Sequence, residues 1–159
     1  MNVDETADEA EEGMRYTTHV RRILVGCTDS DASRAALRWA TCVARDLDAE
    51  IVAAYAISTL WEWELAAVQV NTDPIRREVT ELLDGRWTDP LRHAGLRYRT
   101  RLVSGPPAQA LMQLARAERV DLIVVGMGRH GTMSQLLLGT VSKDLLRGAL
   151  RPIVAVPPD

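Results

Sequence analysis

Short apolar runs alternate along this 159-residue chain with longer stretches whose apolar residues recur at helical spacing. A continuous apolar run of strand length is typical of a strand that is buried on both faces of a parallel sheet. A further run, Leu96–Val103, alternates apolar residues with arginines, which predicts an edge strand with one solvated face rather than a phosphate-binding surface. In chain order, the five predicted strands are Ile23–Cys27, Ile51–Ile57, Leu96–Val103, Asp121–Val125 and Arg151–Val156.

The stretches between these strands predict four helices. The second begins at Asp73-Pro74, where Asp73 is the predicted cap and Pro74 the first helical residue, and it ends at Gly95. A helix between each pair of consecutive strands predicts an α/β fold: a doubly wound, five-stranded parallel sheet with helices on both faces. The predicted helices run from Ser30 or Asp31 to about Leu47, from Pro74 to about Ala94, from about Ala108 to Glu118, and from after Gly139 to near Gly148.

The strand order determines where such a sheet binds a ligand. If the first and fourth strands are neighbours, the order is 3-2-1-4-5, and the loops after Cys27 and Val125 meet where the winding of the sheet reverses. Ligands of doubly wound sheets bind at the carboxyl ends of strands at this switch point. The sequence therefore predicts a binding site between these two loops.

Charge and composition narrow the class of protein. Residues 1–18 carry six acidic residues and one basic residue, which predicts a disordered acidic tail before a single α/β domain over residues 19–159. The whole chain has a net charge of −3, so the domain carries about +2, and this does not indicate a nucleic-acid partner. No apolar run reaches membrane-span length and no secretory leader is recognised, so a cytoplasmic location without a membrane partner is predicted.

Two cysteines and two tryptophans have no assigned chemistry. Cys27 ends a strand and Cys42 lies within a helix, without a C-x-x-C motif, and structural burial is predicted for both. Trp61 and Trp63 lie in Thr59–Val70, which could be a loop, a short helix or a lid. They are predicted to pack over the sheet edge or a neighbouring subunit rather than to stack on a ligand base.

The segment Val124–Ser142 contains the motif that most indicates a ligand. A buried strand runs into three glycines, Gly126, Gly128 and Gly131, and Gly139 then precedes a new helix. Glycine lets backbone N–H groups approach an anion, and the first N–H groups of a helix lack partners within it. The pattern predicts a phosphate cradle, and an ordinary strand-to-helix turn is the alternative interpretation.

Three stretches resemble those of the universal stress protein family. Residues 23–40, ILVGCTDSDASRAALRWA, resemble its first strand, loop and helix, and residues 104–111, SGPPAQAL, resemble its G-x-P-x-x-x-L element. Residues 121–126, DLIVVG, followed by residues 136–142, LLLGTVS, resemble its nucleotide loop. The resemblance covers nearly all of residues 20–157 and implies a Rossmann-like fold.

The ATP-binding branch of that family carries the motif G-x2-G-x9-G-[S/T], which this chain matches at both ends. With Gly139 as the anchor, Gly126 is the first glycine and Arg129 stands where the second is expected. The aspartate that contacts nucleotide in the family would fall at Thr28, one residue before Asp29. Arg129 brings a charge-assisted donor that could bind phosphate oxygens in place of the glycine.

The resemblance and the loop together predict a regulatory protein of the stress response that binds ATP or another adenine nucleotide without catalysis. The candidates include no nucleophile–base pair, and magnesium could accompany ATP although no acidic cluster specifies it. Thr28 or Asp29 is expected to face the ribose, and the resemblance alone places the backbone at Tyr55-Ala56 in the adenine pocket. The predicted phosphate cradle consists of Gly126, Gly128, Arg129, Gly139, Thr140, Val141 and Ser142.

The sequence leaves two other functions open. Arg129 stands where the family has a glycine, and Thr28 where it has an aspartate. These two departures motivate a second hypothesis, a dimeric interaction module that has lost nucleotide binding. A slow ATPase or phosphotransferase would need a residue that positions water, and Asp29 and His130 are the local candidates. Family members commonly pair through the last strand, so a homodimer through the apolar edge Ile153–Val156 is expected.

Overall fold

The computed structural model describes residues 19–58, 71–128 and 140–158, and these residues form a five-stranded parallel sheet with helices on both faces. The strand order is β3-β2-β1-β4-β5, which confirms the predicted order and fold class. The elements are β1 Arg22–Gly26, α1 Asp31–Leu47, β2 Glu50–Ile57, α2 Asp73–Asp84, α3 Asp89–His93, β3 Tyr98–Ser104, α4 Pro107–Ala117, β4 Leu122–Gly126, α5 Thr140–Gly148 and β5 Ile153–Val156.

The sheet separates two apolar cores, one on each face. Side chains alternate between the faces of a strand, so β1 contributes Ile23 and Val25 to one core and Leu24 to the other. Helices α1, α2 and α3 cover the first face, and α4 and α5 cover the second. The central strands are apolar on both sides because each side is buried under helices.

Helix α1 lies close to the sheet because small residues line its buried side. Its N-cap is Ser30, whose Oγ accepts a hydrogen bond from the Ser33 N–H at 3.1 Å, so one of the two predicted caps is the observed one. The alanines of α1 that pack in the first core are Ala35, Ala36, Ala40 and Ala44, with exposed fractions of 4% or less. Alanine adds little bulk between helix and sheet, so the backbone at the start of α1 can lie close to the backbone of the sheet.

The predicted helix from Pro74 to Ala94 is wrong as a single element, because the structure has two helices separated by residues 85–88. Gly85 ends α2, and the buried Thr88 then donates its hydroxyl to the Leu83 carbonyl at 2.7 Å. Pro90 has no N–H to continue the hydrogen bonds of α2, and it lies instead in the first turn of α3. The start of α2 also differs from prediction, because its N-cap is Thr72 rather than Asp73, which lies in the first turn.

The arginines of the edge strand β3 are not simply solvated. Arg99 binds Glu50 through Nε and Nη2 at 2.7 and 2.8 Å, and Arg101 binds Glu118 at 2.7 Å. Arg22 of β1 binds the same Glu50 at 2.9 Å, and Arg99 also reaches Glu118 at 3.1 Å. These five residues, the amino-end ion network, tie three strands to the end of α4. The edge position of β3 is confirmed, and the side chains of Arg99 and Arg101 are 34% and 40% exposed, so they are partly solvated while they bind their glutamates.

Several predictions lie outside the described residues. They concern the acidic tail over residues 1–18, the tryptophans of residues 59–70, and residues 129–139 of the glycine loop. No helix in the described parts of the chain is both long enough and apolar enough to cross a bilayer.

Candidate functional site

The carboxyl ends of β1 and β4 lie side by side at the switch point of the sheet. Val25 of β1 is in register with Val124 of β4, and β1 pairs with β2 on its other side. One more backbone hydrogen bond extends each strand: the Cys27 N–H donates to Ala54 and the Met127 N–H donates to Val156, both at 2.7 Å. The residues that follow β1 and β4 are therefore placed next to each other, as the topology requires.

Hydroxyl groups fix the loop after β1. The Thr28 N–H donates to Ser33 Oγ at 2.8 Å, and the hydroxyls of Thr28 and Ser30 lie 2.9 Å apart in a hydrogen bond. Thr28 itself is exposed near the end of the strand. Because Ser30 caps α1 by accepting from the Ser33 N–H, the helix cap and the candidate ribose contact belong to one hydrogen-bonded unit.

Asp29 is held by two arginines. Its carboxylate accepts hydrogen bonds from Arg34 at 3.0 Å and from Arg86 at 2.7 Å. The Arg86 hydrogen bond is the main cause that lowers the pKa of Asp29, and Arg34 adds to it, so the carboxylate is ionised at neutral pH. Asp29 therefore joins the start of α1 to the turn between α2 and α3, and it would have to share its oxygens with any ribose.

Gly126 has a steric role that the glycine pattern alone does not reveal. A Cβ built at this position would lie 2.4 Å from the backbone carbonyl carbon and oxygen of Ala32 and 2.8 Å from the Ser33 nitrogen. Backbone atoms cannot move away as a flexible side chain can. Glycine is required here so that the first turn of α1 can cross the end of β4, whatever ligand the next loop holds.

The remaining described candidates lie along the same edge. Thr140, Val141 and Ser142 are the first three residues of α5, and Ser142 is buried while Thr140 is exposed. Their N–H groups belong to the first turn, where a helix has no internal acceptors. Gly128 is half-buried just beyond β4, and Ala56 is half-buried near the carboxyl end of β2, opposite Val103.

The cysteines provide no nucleophile at this edge. Burial raises the pKa of Cys27 to about 12, so its thiol stays protonated at neutral pH. Cys42 is exposed on α1, so the prediction of burial is correct for Cys27 and wrong for Cys42. Within the described residues, no group of three or more His, Cys, Asp and Glu side chains is arranged to hold a metal ion.

Sequence reasoning missed Arg34, Arg86 and Ser33 as members of this edge. A local signal exists for Ser33, because it lies three residues after the N-cap Ser30, where a cap finds its backbone donor. Arg86 comes 57 residues after Asp29, and no local pattern links the two. Arg129 and Gly139 lie outside the described residues, so the structure gives no geometry for them.

Comparison with known proteins agrees with the fold. A curated universal stress protein from Methanocaldococcus jannaschii is 24% identical over 151 residues, which span 86% of this chain and 81% of that protein. A solved universal stress protein in complex with cAMP is 25% identical, with a TM-score of 0.68 over 89% of this chain and 100% of its own.

Another solved relative is a universal stress family protein from Arabidopsis thaliana with AMP bound. It is 18% identical, with a TM-score of 0.63 over 87% of this chain and 92% of its own. A profile of the universal stress protein family matches residues 19–157, which include every described strand and helix. This chain is therefore a member of the universal stress protein family.

Proposed function

We propose that this protein binds an adenine nucleotide at the carboxyl edge of its sheet and acts as a regulatory, non-catalytic protein of the stress response. The observation that carries the proposal is the pairing of β1 with β4, which places the Thr28-Asp29 loop beside Gly126–Gly128. Relatives of the same fold were solved with cAMP and with AMP, which supports the choice of adenine nucleotides. A cytoplasmic location follows from this proposal, since nucleotide pools are there.

The polar groups at this edge are suited to binding rather than to catalysis. N–H groups at the start of α5 favour an anion, and the Thr28 hydroxyl can bond a ribose. Asp29 is ionised but already accepts from two arginines, so it is a poor base for activating water. ATP is the proposed ligand, with Arg129 on the phosphates, the Ala56 backbone by the adenine, and magnesium carried by the nucleotide itself.

The first experiment asks whether a nucleotide binds at all. The purified protein is denatured and the supernatant is analysed for adenine nucleotides by mass spectrometry, and the nucleotide-free protein is then titrated with ATP, AMP, cAMP and adenosine by calorimetry. Binding of at least one nucleotide below millimolar concentration is expected. Failure of all three nucleotides to bind at millimolar concentration would overturn the proposal.

A second experiment isolates the role of Arg129. Arg129→Ala should weaken ATP at least tenfold and leave adenosine unchanged, because adenosine has no phosphate for a guanidinium to bind. Arg147→Ala is the matched control, since Arg147 is exposed in the last turn of α5, far from the first N–H groups of that helix. Equal losses for ATP and adenosine would argue against a phosphate contact by Arg129.

One observation favours a second candidate, a dimeric interaction module without a nucleotide. Both proposed ribose contacts are already bonded within the protein, Thr28 to Ser30 and Asp29 to Arg34 and Arg86. In either case we propose a homodimer through β5, which pairs only with β4 among the described strands. Sedimentation at micromolar concentration tests the dimer, and Val154→Lys on β5 should shift it to monomer.

A further inference from the structure

A cavity of about 250 Å³ lies on the face of the sheet covered by α1, α2 and α3. Its apolar lining comes from Cys27 at the end of β1, Leu37 of α1, and Trp87 and Pro90 at the α2–α3 turn. We call it the α1–α3 cavity. Cys27 and Leu37 are almost fully buried, with exposed fractions of 3% each, so the cavity reaches down to the first core.

The α1–α3 cavity adjoins the candidate nucleotide site and shares Thr28 with it, but it continues along α1 and the α2–α3 turn. Its described lining includes no residue of β4, of the described part of the following loop, or of α5. Helix α5 packs on the opposite face of the sheet, with Leu145 in the second core. Ser33, Arg34 and Arg86, which hold the loop after β1 in place, also line the cavity.

The charged groups that line this cavity are of one sign. Among the described lining residues they are Arg34, Arg38 and Arg86, and all three are exposed. Arg86 donates through Nη2 to Asp29 at 2.7 Å, whereas a guanidinium has five N–H donors. Its other N–H groups can therefore bind a second carboxylate while the Asp29 bond stays in place.

The apolar wall offers a flat surface. The Trp87 ring packs against Tyr55 of β2 with ring centroids 5.5 Å apart and a tilt of 45°. Trp87 Nε1 is buried and has no acceptor among the described residues. Aromatic rings and proline present rigid faces on which a planar ligand loses little conformational freedom.

We propose that the α1–α3 cavity binds a small aromatic carboxylate, with its ring against Trp87 and Pro90 and its carboxylate on Arg86. Apolar walls beside arginines complement a ligand that has one flat apolar part and one negative part. The volume suits a single ring with a short acidic substituent, because cavities of about 150 Å³ already accept benzene. The proposal does not depend on nucleotide binding.

Benzoate is the probe for this proposal. Uniformly ¹⁵N-labelled full-length protein is titrated with benzoate, and the indole N–H signal of Trp87, assigned with Trp87→Phe, is followed by NMR. A saturable shift of that signal at millimolar benzoate is expected. Benzyl alcohol, which keeps the ring and lacks the charge, should bind at least tenfold more weakly.

Variants of two exposed arginines test the carboxylate contact. Arg86→Gln should weaken benzoate at least fivefold, and Arg86→Lys should lie between it and the native protein because it keeps the charge without the planar fork. Arg92→Gln is the matched control, since Arg92 is exposed on the neighbouring α3, binds Asp89 and does not line the cavity. It should leave benzoate affinity unchanged.

Three outcomes would overturn the proposal: no saturable Trp87 shift, equal affinity in Arg86→Gln and native protein, or a shift of the Trp39 indole signal in place of Trp87. A competition experiment between AMP and benzoate provides a fourth outcome that would overturn it. AMP should not displace benzoate, and if it does so competitively, the cavity belongs to the nucleotide site instead. Failure of AMP to bind leaves the benzoate test intact, so the two proposals fail separately.

Discussion

At the amino end of the sheet, five long charged side chains bind one another across β1, β2, β3 and the end of α4. At the carboxyl end, short hydroxyls and backbone groups make the contacts, and the charged pairs are exposed. Glu118 and Glu50 have side-chain exposures of 14% and 22%, against 50% for Asp29 at the other end. The amino end therefore contributes to stability through partly buried charge, whereas the carboxyl end keeps donors and hydroxyls within reach of a ligand.

The largest loss of stability is expected from Gly126→Ala at the carboxyl end. The new Cβ would press on the Ala32 backbone at 2.4 Å, and we expect a loss of about 3 kcal/mol in the free energy of unfolding. Gly26→Ala is the control, because its Cβ would meet the Val125 side chain at 3.2 Å, which can adjust. Urea unfolding of both variants measures the difference, and similar losses would contradict the steric argument.

A smaller loss of stability is expected at the amino end, when Glu50 becomes protonated at low pH. The Arg99 hydrogen bonds, followed by the Arg22 bond, lower the pKa of Glu50 from 4.5 to about 2. A lowered pKa gives a stabilisation that is complete above about pH 4.5 and is lost as the pH falls towards 2. Linkage alone converts this shift to about 3 kcal/mol, and solvent screening of this partly exposed pair reduces the expected contribution to about 2 kcal/mol.

Glu50→Gln sharpens that prediction. The variant should lose about 2 kcal/mol at pH 7 and show a flatter dependence of stability on pH between 4.5 and 2. Glu81→Gln, at an exposed position on α2, is the control and should retain the native pH dependence. Chemical unfolding across this pH range checks both, and a variant as steep as the native protein would show that other groups cause the slope.

The smallest effect is expected from Asp29→Asn, at the exposed end. Its two ion pairs are solvated, and solvated pairs contribute little to stability, so the urea midpoint should stay within experimental error. A large fall in the midpoint would mean that the carboxyl end also depends on its charges. The contrast between the two ends would then be wrong.

Sequence patterns were sufficient for the layout of the sheet. Apolar runs predicted four of the five strands, because a strand with two covered faces has few polar positions that could blur the pattern. The alternation of apolar residues with arginines predicted the edge strand β3. The break between α2 and α3 was missed although Asp89-Pro90 repeats the Asp73-Pro74 signal, since helical periodicity continues across it. The spacing of apolar residues indicates which side of a helix is buried, and it does not change when the helix is interrupted for a few residues.

The site was predicted less completely than the fold. The position of the loops after β1 and β4 follows from topology, but the contacts of Asp29 with Arg86 join distant parts of the chain. The glycine pattern suggested an anion at Gly126, and the structure assigns that glycine a packing role that no spacing reveals. Side-chain partners across a fold depend on packing angles, which a one-dimensional pattern does not carry.

The crossing of α1 over Gly126 also has a mechanical consequence. Most helix–sheet contacts are cushioned by side chains that can change rotamer, so a small displacement on one side is absorbed before it reaches the other. Here peptide backbone lies 2.4 Å from the position that a Cβ of residue 126 would take, and backbone cannot change rotamer. The end of β4 and the first turn of α1 are thus stiffly coupled, and amide hydrogens on both sides of the contact should exchange with solvent as one cooperative unit.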